Sequence, residues 1–237
     1  MTANEDVRRW QLALLSHGYE VGATDGAFGP ATLRASLKAL EGDIGGTNGS
    51  IKPSSHALKD PAAFFAQVRT EFGALTTPQV EGFNVLLKHM AAWDVDDTAY
   101  GLATAWHETN ATMQPVAEAY FLGKNAEAWR KKNLRYWPWY GRGYPQTTWE
   151  PNYKRADDRL GLGGSLMKNP DRMLEPEVAA PTMVKGMEEG WFTGKKNSDY
   201  APGEYVKRRA IINGTDEAQK VANYAYGFER ALKAGGW

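Results

Sequence analysis

Apolar residues recur at intervals of three and four along most of the chain, the mark of helices that bury one face. Val7, Trp10, Leu14 and Leu15 form a first short stripe after Asn4, Glu5 and Asp6. Leu33, Leu37 and Leu40 form a second, entered through Gly29 and Pro30, where proline suits a helix start. Pro61 opens a third helix, with Phe64, Phe65 and Val68 on one side. Thr76, Thr77 and Pro78 introduce a fourth, whose apolar face is Val80, Phe83, Leu86, Leu87 and Met90. Asp97 reads as the cap of a short helix carrying Ala99, Leu102, Ala103 and Trp106. Residues 126–132 read as a solvated helix. Leu174, Val178, Met183 and Met187 predict another that ends at Trp191 and Phe192. Thr215 is read as the cap of the last, with Val221, Ala225, Phe228 and Leu232 buried. The expected fold class is all-α, with at most a small hairpin.

Residues 41–55 break this pattern with Gly42, Gly45, Gly46, Gly49, Ser50, Ser54 and Ser55, the composition of a flexible linker. The expected organisation is a small module over 1–42, a linker over 43–60 and a larger domain over 61–237. A length of 237 residues suits that division.

Composition narrows the function. Twenty-eight basic residues balance 28 acidic ones, so no electrostatic nucleic-acid binder is indicated. Cysteine is absent, which removes disulfides, thiol catalysis and thiolate metal sites. His17, His56, His89 and His107 lack metal-ligand spacing, so no zinc or other metal site is expected. The start of the chain is acidic and has no apolar leader, and no apolar run approaches membrane-spanning length. A monomer made in the cytoplasm, independent of membranes, is the expectation. Nine Trp and eleven Tyr suit a core together with a carbohydrate-facing cleft, and a core alone also has room for them.

The candidate chemistry lies between Ala105 and Tyr120, which hold Glu108 and Glu118. Glu108 falls in the last turn of its predicted helix, where the dipole disfavours a carboxylate and Trp106 can shield it. That suits a general acid. Ten residues of continuous helix would separate the two glutamate Cα atoms by roughly 15 Å. Inverting glycoside hydrolysis places its carboxyl groups about 6.5–9.5 Å apart. The chain must therefore bend, and Asn110 and Pro115 supply the breaks. Downstream, Gly141, Arg142 and Gly143 let the backbone pass close to another group, flanking aromatics can stack on sugars, and Arg142 can brace a carboxylate.

Two resemblances join these observations. Trp10, Gln11, Gly18, Tyr19, Gly22, Asp25, Gly26, Phe28, Gly29 and Thr32 look like the type 1 peptidoglycan-binding domain, a three-helix cell-wall module. It implies wall contact through Trp10, Tyr19, Asp25 and Phe28. From about residue 80 to 232, His107-Glu108, then Gly141-Arg142-Gly143 with Gln146, Thr148, Asn152 and Tyr153, then Arg209 with Asn213-Gly214, resemble the family 19 glycoside hydrolases and their related phage endolysins. The resemblance implies a two-lobed, lysozyme-like helical fold and an inverting mechanism without a cofactor, with bacterial peptidoglycan as the partner. By position it implies Glu108 as general acid, Glu118 as the base, and Thr148 as a holder of the water. Gln146, Asn152, Tyr144, Asn213 and His107 are expected to face substrate, with Arg142 and Arg209 in support. Pro145 and Thr147 depart from the aliphatic residues usual beside the glutamine. The surroundings of Glu118 match least, and Glu127 is the alternative base. Chitin is the alternative substrate, and a lytic transglycosylase using Glu108 alone the alternative chemistry.

Overall fold

In the computed structural model the chain divides into two compact units, residues 1–54 and 55–237. The structure describes Val7, Arg8, Trp10, Gln11, Leu14, Val21, Ala23, Ala27, Thr32, Leu33, Ser36 and everything from His56 to Trp237. In the first unit, Leu14 and Val21 are buried. The Gln11 amide donates to the Thr32 hydroxyl and the Ala27 carbonyl, both at 3.0 Å, and the Trp10 indole donates to Ser36 at 2.9 Å. Tyr19, Asp25 and Phe28, expected to meet the wall, lie outside the described residues.

The second unit begins earlier than the expected residue 61. Leu58 packs on the core, and the His56 amide donates to the Ala91 carbonyl at 2.6 Å. It is all-α apart from one small sheet. Asp60 caps helix Pro61–Phe72, and Thr76 with Gln79 forms a reciprocal capping box on Thr77–His89. These satisfy backbone donors that a helix start leaves orphaned.

The centre of the unit is helix Val95–Glu108, in which every residue from Thr98 to Trp106 is buried. Its cap is Asp94, whose carboxylate accepts from the Asp97 amide at 2.8 Å, not Asp97 as the sequence suggested. Two aspartates lie three residues apart before the apolar stripe, and the earlier one reaches the orphaned donor. Asp97 instead joins Asp96 around the buried Arg208, with Nη1 to Asp97 at 2.5 Å. The longest helix, Ala218–Ala234, lies along Val95–Glu108 and Pro61–Phe72. It starts at Glu217 with a left-handed residue and no side-chain cap, so the expected Thr215 cap is also corrected. The Thr215 carbonyl accepts from the Ala218 amide in the preceding turn.

Phe72, Phe83, Trp106 and Phe228 knit these helices together, with Phe72 and Phe228 stacked at 4.4 Å between centroids. A second, smaller core gathers Tyr153, Ala156, Leu166, Met173, Val178 and Trp191. Helix Pro176–Glu189 serves both cores: Val178 faces the small one, Ala179 and Met183 the large. Leu174, expected on that helix, sits in the single turn Pro170–Leu174 before it, because Pro176 fixes the helix start. Among the described residues no helix is long and apolar enough to cross a membrane.

Candidate active site

Helix Val95–Glu108 delivers Glu108 at its final position, and the chain then reverses. Asn110, Ala111 and Met113 all adopt positive φ, of 51°, 63° and 53°. Left-handed backbone strains any residue with a side chain, and it persists only where neighbours fix it. Here the fixing contacts are dense. The Thr109 hydroxyl accepts from the Met113 amide at 3.1 Å, and the Ala111 amide donates to the Trp106 carbonyl at 2.7 Å. From the start of helix Thr77–His89, Gln79 donates to the Ala111 carbonyl at 2.8 Å, and Gln114 donates back to the Pro78 carbonyl at 2.6 Å. The expected bend is present, made by the Asn110–Met113 turn more than by Pro115.

Beyond the turn, Val116–Ala117 pairs antiparallel with Arg142–Gly143. This two-stranded sheet carries Glu118 at its edge. The Glu118 amide donates to the Gly141 carbonyl at 2.7 Å. Its carboxylate accepts from the Gly141 amide through Oε2 at 3.0 Å and from the Tyr136 hydroxyl through Oε1 at 2.9 Å. The backbone at Gly141 also runs close to Gln146, whose amide oxygen would lie 2.8 Å from a Cβ added there. Gln146, itself at φ 53°, donates to the Val116 and Gly143 carbonyls, at 2.9 and 3.2 Å. It ties the strand pair together. Arg130 completes the cradle, donating through Nε to the Glu118 carbonyl at 2.6 Å.

Glu108 meets a cation. Arg209, almost fully buried, donates through Nη1 to Glu108 Oε1 at 2.7 Å and through Nε to the Asp216 carbonyl at 2.8 Å. Trp106, expected to shield Glu108, packs its ring on Phe72, Phe83 and Phe228, and the charged partner of Glu108 is the Arg209 guanidinium. His107 is half-buried, and desolvation pulls its pKa below the ordinary value, with Arg209 and Lys220 acting the same way and Glu108 opposing. A histidine that charges less readily when folded adds stability in full above its unfolded value of about 6.5, and that part is lost as pH falls through the folded value. The midpoint of thermal unfolding of the wild type is therefore expected to drop more steeply between about pH 6.5 and 5 than that of His107→Gln. Parallel pH profiles would refute this.

The remaining candidates divide. Thr148 and Asn152 are half-buried beside the strand pair, and the Asn152 amide donates to the Thr148 carbonyl at 2.9 Å. Asn213 is exposed, its amide bonded to the Arg209 carbonyl. Tyr144, expected to face substrate, is fully buried in the main core, and burial pushes its phenol strongly up. The whole run from Tyr140 to Pro145 is buried, and the Tyr144 ring joins the core with it. Arg142 does brace a carboxylate, that of Asp171 and not of Glu108 or Glu118. Its Nε and Nη2 both contact Asp171 Oδ1 at 2.8 Å, while the guanidinium lies 3.5 Å over the Tyr140 ring. Glu127, the alternative base, is exposed and accepts from Trp137, Tyr140 and Arg130; these donors, Trp137 foremost, hold its pKa below the usual carboxylate range. Tyr136, Arg130 and Gln79 were not singled out by the sequence. Tyr136 stood in the aromatic run, but nothing there paired it with Glu118.

No cluster of acidic and histidine side chains that would hold a metal ion occurs among the described residues. No protein-family model, curated protein or solved structure matches the chain.

Proposed function

We propose that the chain is a peptidoglycan hydrolase of the endolysin type, cutting β-1,4 bonds between amino sugars with inversion. The observation that carries this reading is the different anchoring of two half-buried glutamates. Glu108 presents a carboxyl held from one side by Arg209, and Glu118 is an acceptor fixed by Tyr136 and the Gly141 amide. The turn that separates them is rigidly tied to helix Thr77–His89. Such fixed placement is what acid–base catalysis demands.

In this mechanism Glu108 gives its proton to the glycosidic oxygen as the bond to the anomeric carbon breaks. Glu118 takes a proton from a water, whose oxygen attacks the anomeric carbon from the opposite face. Arg209 balances the charge left on Glu108. Thr148, which follows the Arg142–Thr147 bridge, holds that water on this reading. The small first unit tethers the enzyme to an insoluble polymer and raises its local concentration there.

The test is the chemistry of the products. Proton NMR during the first turnovers on purified wall should show new reducing ends in the α configuration. Products ending in 1,6-anhydro sugars would replace this reading by a transglycosylase. Faster release of oligomers from chitin than from wall would overturn the choice of substrate.

A further inference from the structure

Residues 118–150 hold six basic side chains, Lys124, Arg130, Lys131, Lys132, Arg135 and Arg142, against three acids, Glu118, Glu127 and Glu150, in a chain whose overall charges balance. Arg142 and Arg130 are buried and engaged, on Asp171 and on Glu127 with the Glu118 carbonyl. The other four are exposed, and none has a carboxylate within 4.0 Å among the described residues. The same segment carries Tyr120, Phe121, Trp129, Trp137 and Trp149, five of the nine exposed large hydrophobic residues among those described. Aromatics and cations are interleaved. Arg135 lies 5.3 Å over the Trp149 ring and Lys131 lies 5.3 Å over Trp137.

This surface is continuous with Glu118. The Tyr136 hydroxyl bonds its carboxylate, and the Tyr136 ring meets Trp149 at 5.0 Å. The sequence of groups leading outward is thus carboxylate, phenol, indole, guanidinium. Trp149 is held in place at φ 72°, with its amide donating to the Trp139 carbonyl at 2.8 Å. Indole faces accept the C–H face of a pyranose, and unpaired exposed cations beside them accept carboxylates. A ligand that satisfies both is a sugar polymer bearing acids.

We infer that the wall formed by Arg135, Trp149, Lys131 and Trp137 is a specificity surface for anionic glycan, reading the carboxylates of peptide substituents on the strand and discriminating against neutral amino-sugar polymers. The inference rests on Glu118 marking the cleft, as proposed above. It gives peptidoglycan over chitin a physical basis in this chain's own residues: chitin has nothing for Arg135 and Lys131 to pair with.

The test separates binding from turnover. Soluble glycan strands carrying their stem peptides, and the same strands with carboxyls converted to amides, are titrated against the Glu108→Gln chain by tryptophan fluorescence. Native strands should bind about tenfold tighter than amidated ones, the order expected when two exposed charge contacts are lost together. The Arg135→Ala/Lys131→Ala double substitution in that background should remove the tenfold difference and leave binding of amidated strands unchanged. High salt should do the same. The first unit is the same in both chains, so its own response to amidation cancels when the two chains are compared on the same strands. Equal affinity for native and amidated strands would overturn the inference. So would tighter binding to phosphatidylglycerol vesicles than to the strands, since interleaved aromatics and cations also suit an anionic lipid surface. Cleavage by the wild type is scored separately: anion-selective binding without cleavage would sink the hydrolase reading and leave this surface assigned.

Discussion

Glu108→Gln is expected to lower kcat on solubilised wall by about 10²–10⁴-fold, the usual contribution of a positioned general acid. KM should change little, because the amide is isosteric and its oxygen can still accept from Arg209 at the 2.7 Å now seen with the carboxylate. Glu118→Gln should produce a loss of similar order, since its amide cannot take the proton from water. Glu127→Gln should stay within about twofold of wild type, because its carboxyl serves Trp137, Tyr140 and Arg130 at the surface. The measurement is initial-rate release of reducing ends, with thermal melting of each variant to show that it folds. Retention of more than a tenth of the wild-type kcat by Glu108→Gln would remove it from the acid role. A full loss in Glu127→Gln with Glu118→Gln active would exchange the two bases.

The helical periods carried most of the fold because their apolar stripes are long and face one core. Phe64 with Val68, Phe83 with Leu86, and Phe228 with Leu232 sit fully buried on the helices where their spacing put them. Caps were harder to place. Asp94 and Asp97 are both plausible before the same stripe, and the geometry of one turn decides between them. In the candidate site, the bend between the two glutamates was legible. The supports of the glutamates were not. Tyr136 reaches Glu118 across 18 residues and Arg209 reaches Glu108 across 101, and pairings at such range leave no local pattern. Tyr144 shows the opposite failure. It lies within the Gly141–Asn152 string that bears Gln146 and Thr148, yet its ring turns into the core, so position in a motif did not specify its direction.

Besides its hydrogen-bond tethers, the turn between the glutamates packs closely on Gly82. Gly82, buried on helix Thr77–His89, lies against Met113, and a Cβ added there would stand 1.8 Å from the Met113 carbonyl oxygen and 2.9 Å from its Cβ. Two effects compete in Gly82→Ala. Helix propensity favours alanine by about 1 kcal/mol. Overpacking costs roughly 1–3 kcal/mol when side chains can shift, and more when they cannot. Here the obstacle is backbone in a left-handed, multiply tethered turn, so the cost is set at the upper end or beyond, and the clash wins. A net loss of about 3 kcal/mol would lower the melting temperature by roughly 6–12 °C in a unit of this size. Gly101→Ala, in the helix that ends at Glu108, is the comparison. It meets the Met90 methyl and the Trp93 ring, both at 2.7 Å, and these are side-chain atoms able to move. Its loss should be smaller. Gly82→Ala should also lose activity at temperatures where it remains folded, because pushing Met113 aside alters the turn that joins Glu108 to the strand before Glu118. A melting temperature within about 2 °C of wild type, with activity intact, would show that the turn is not held by this contact.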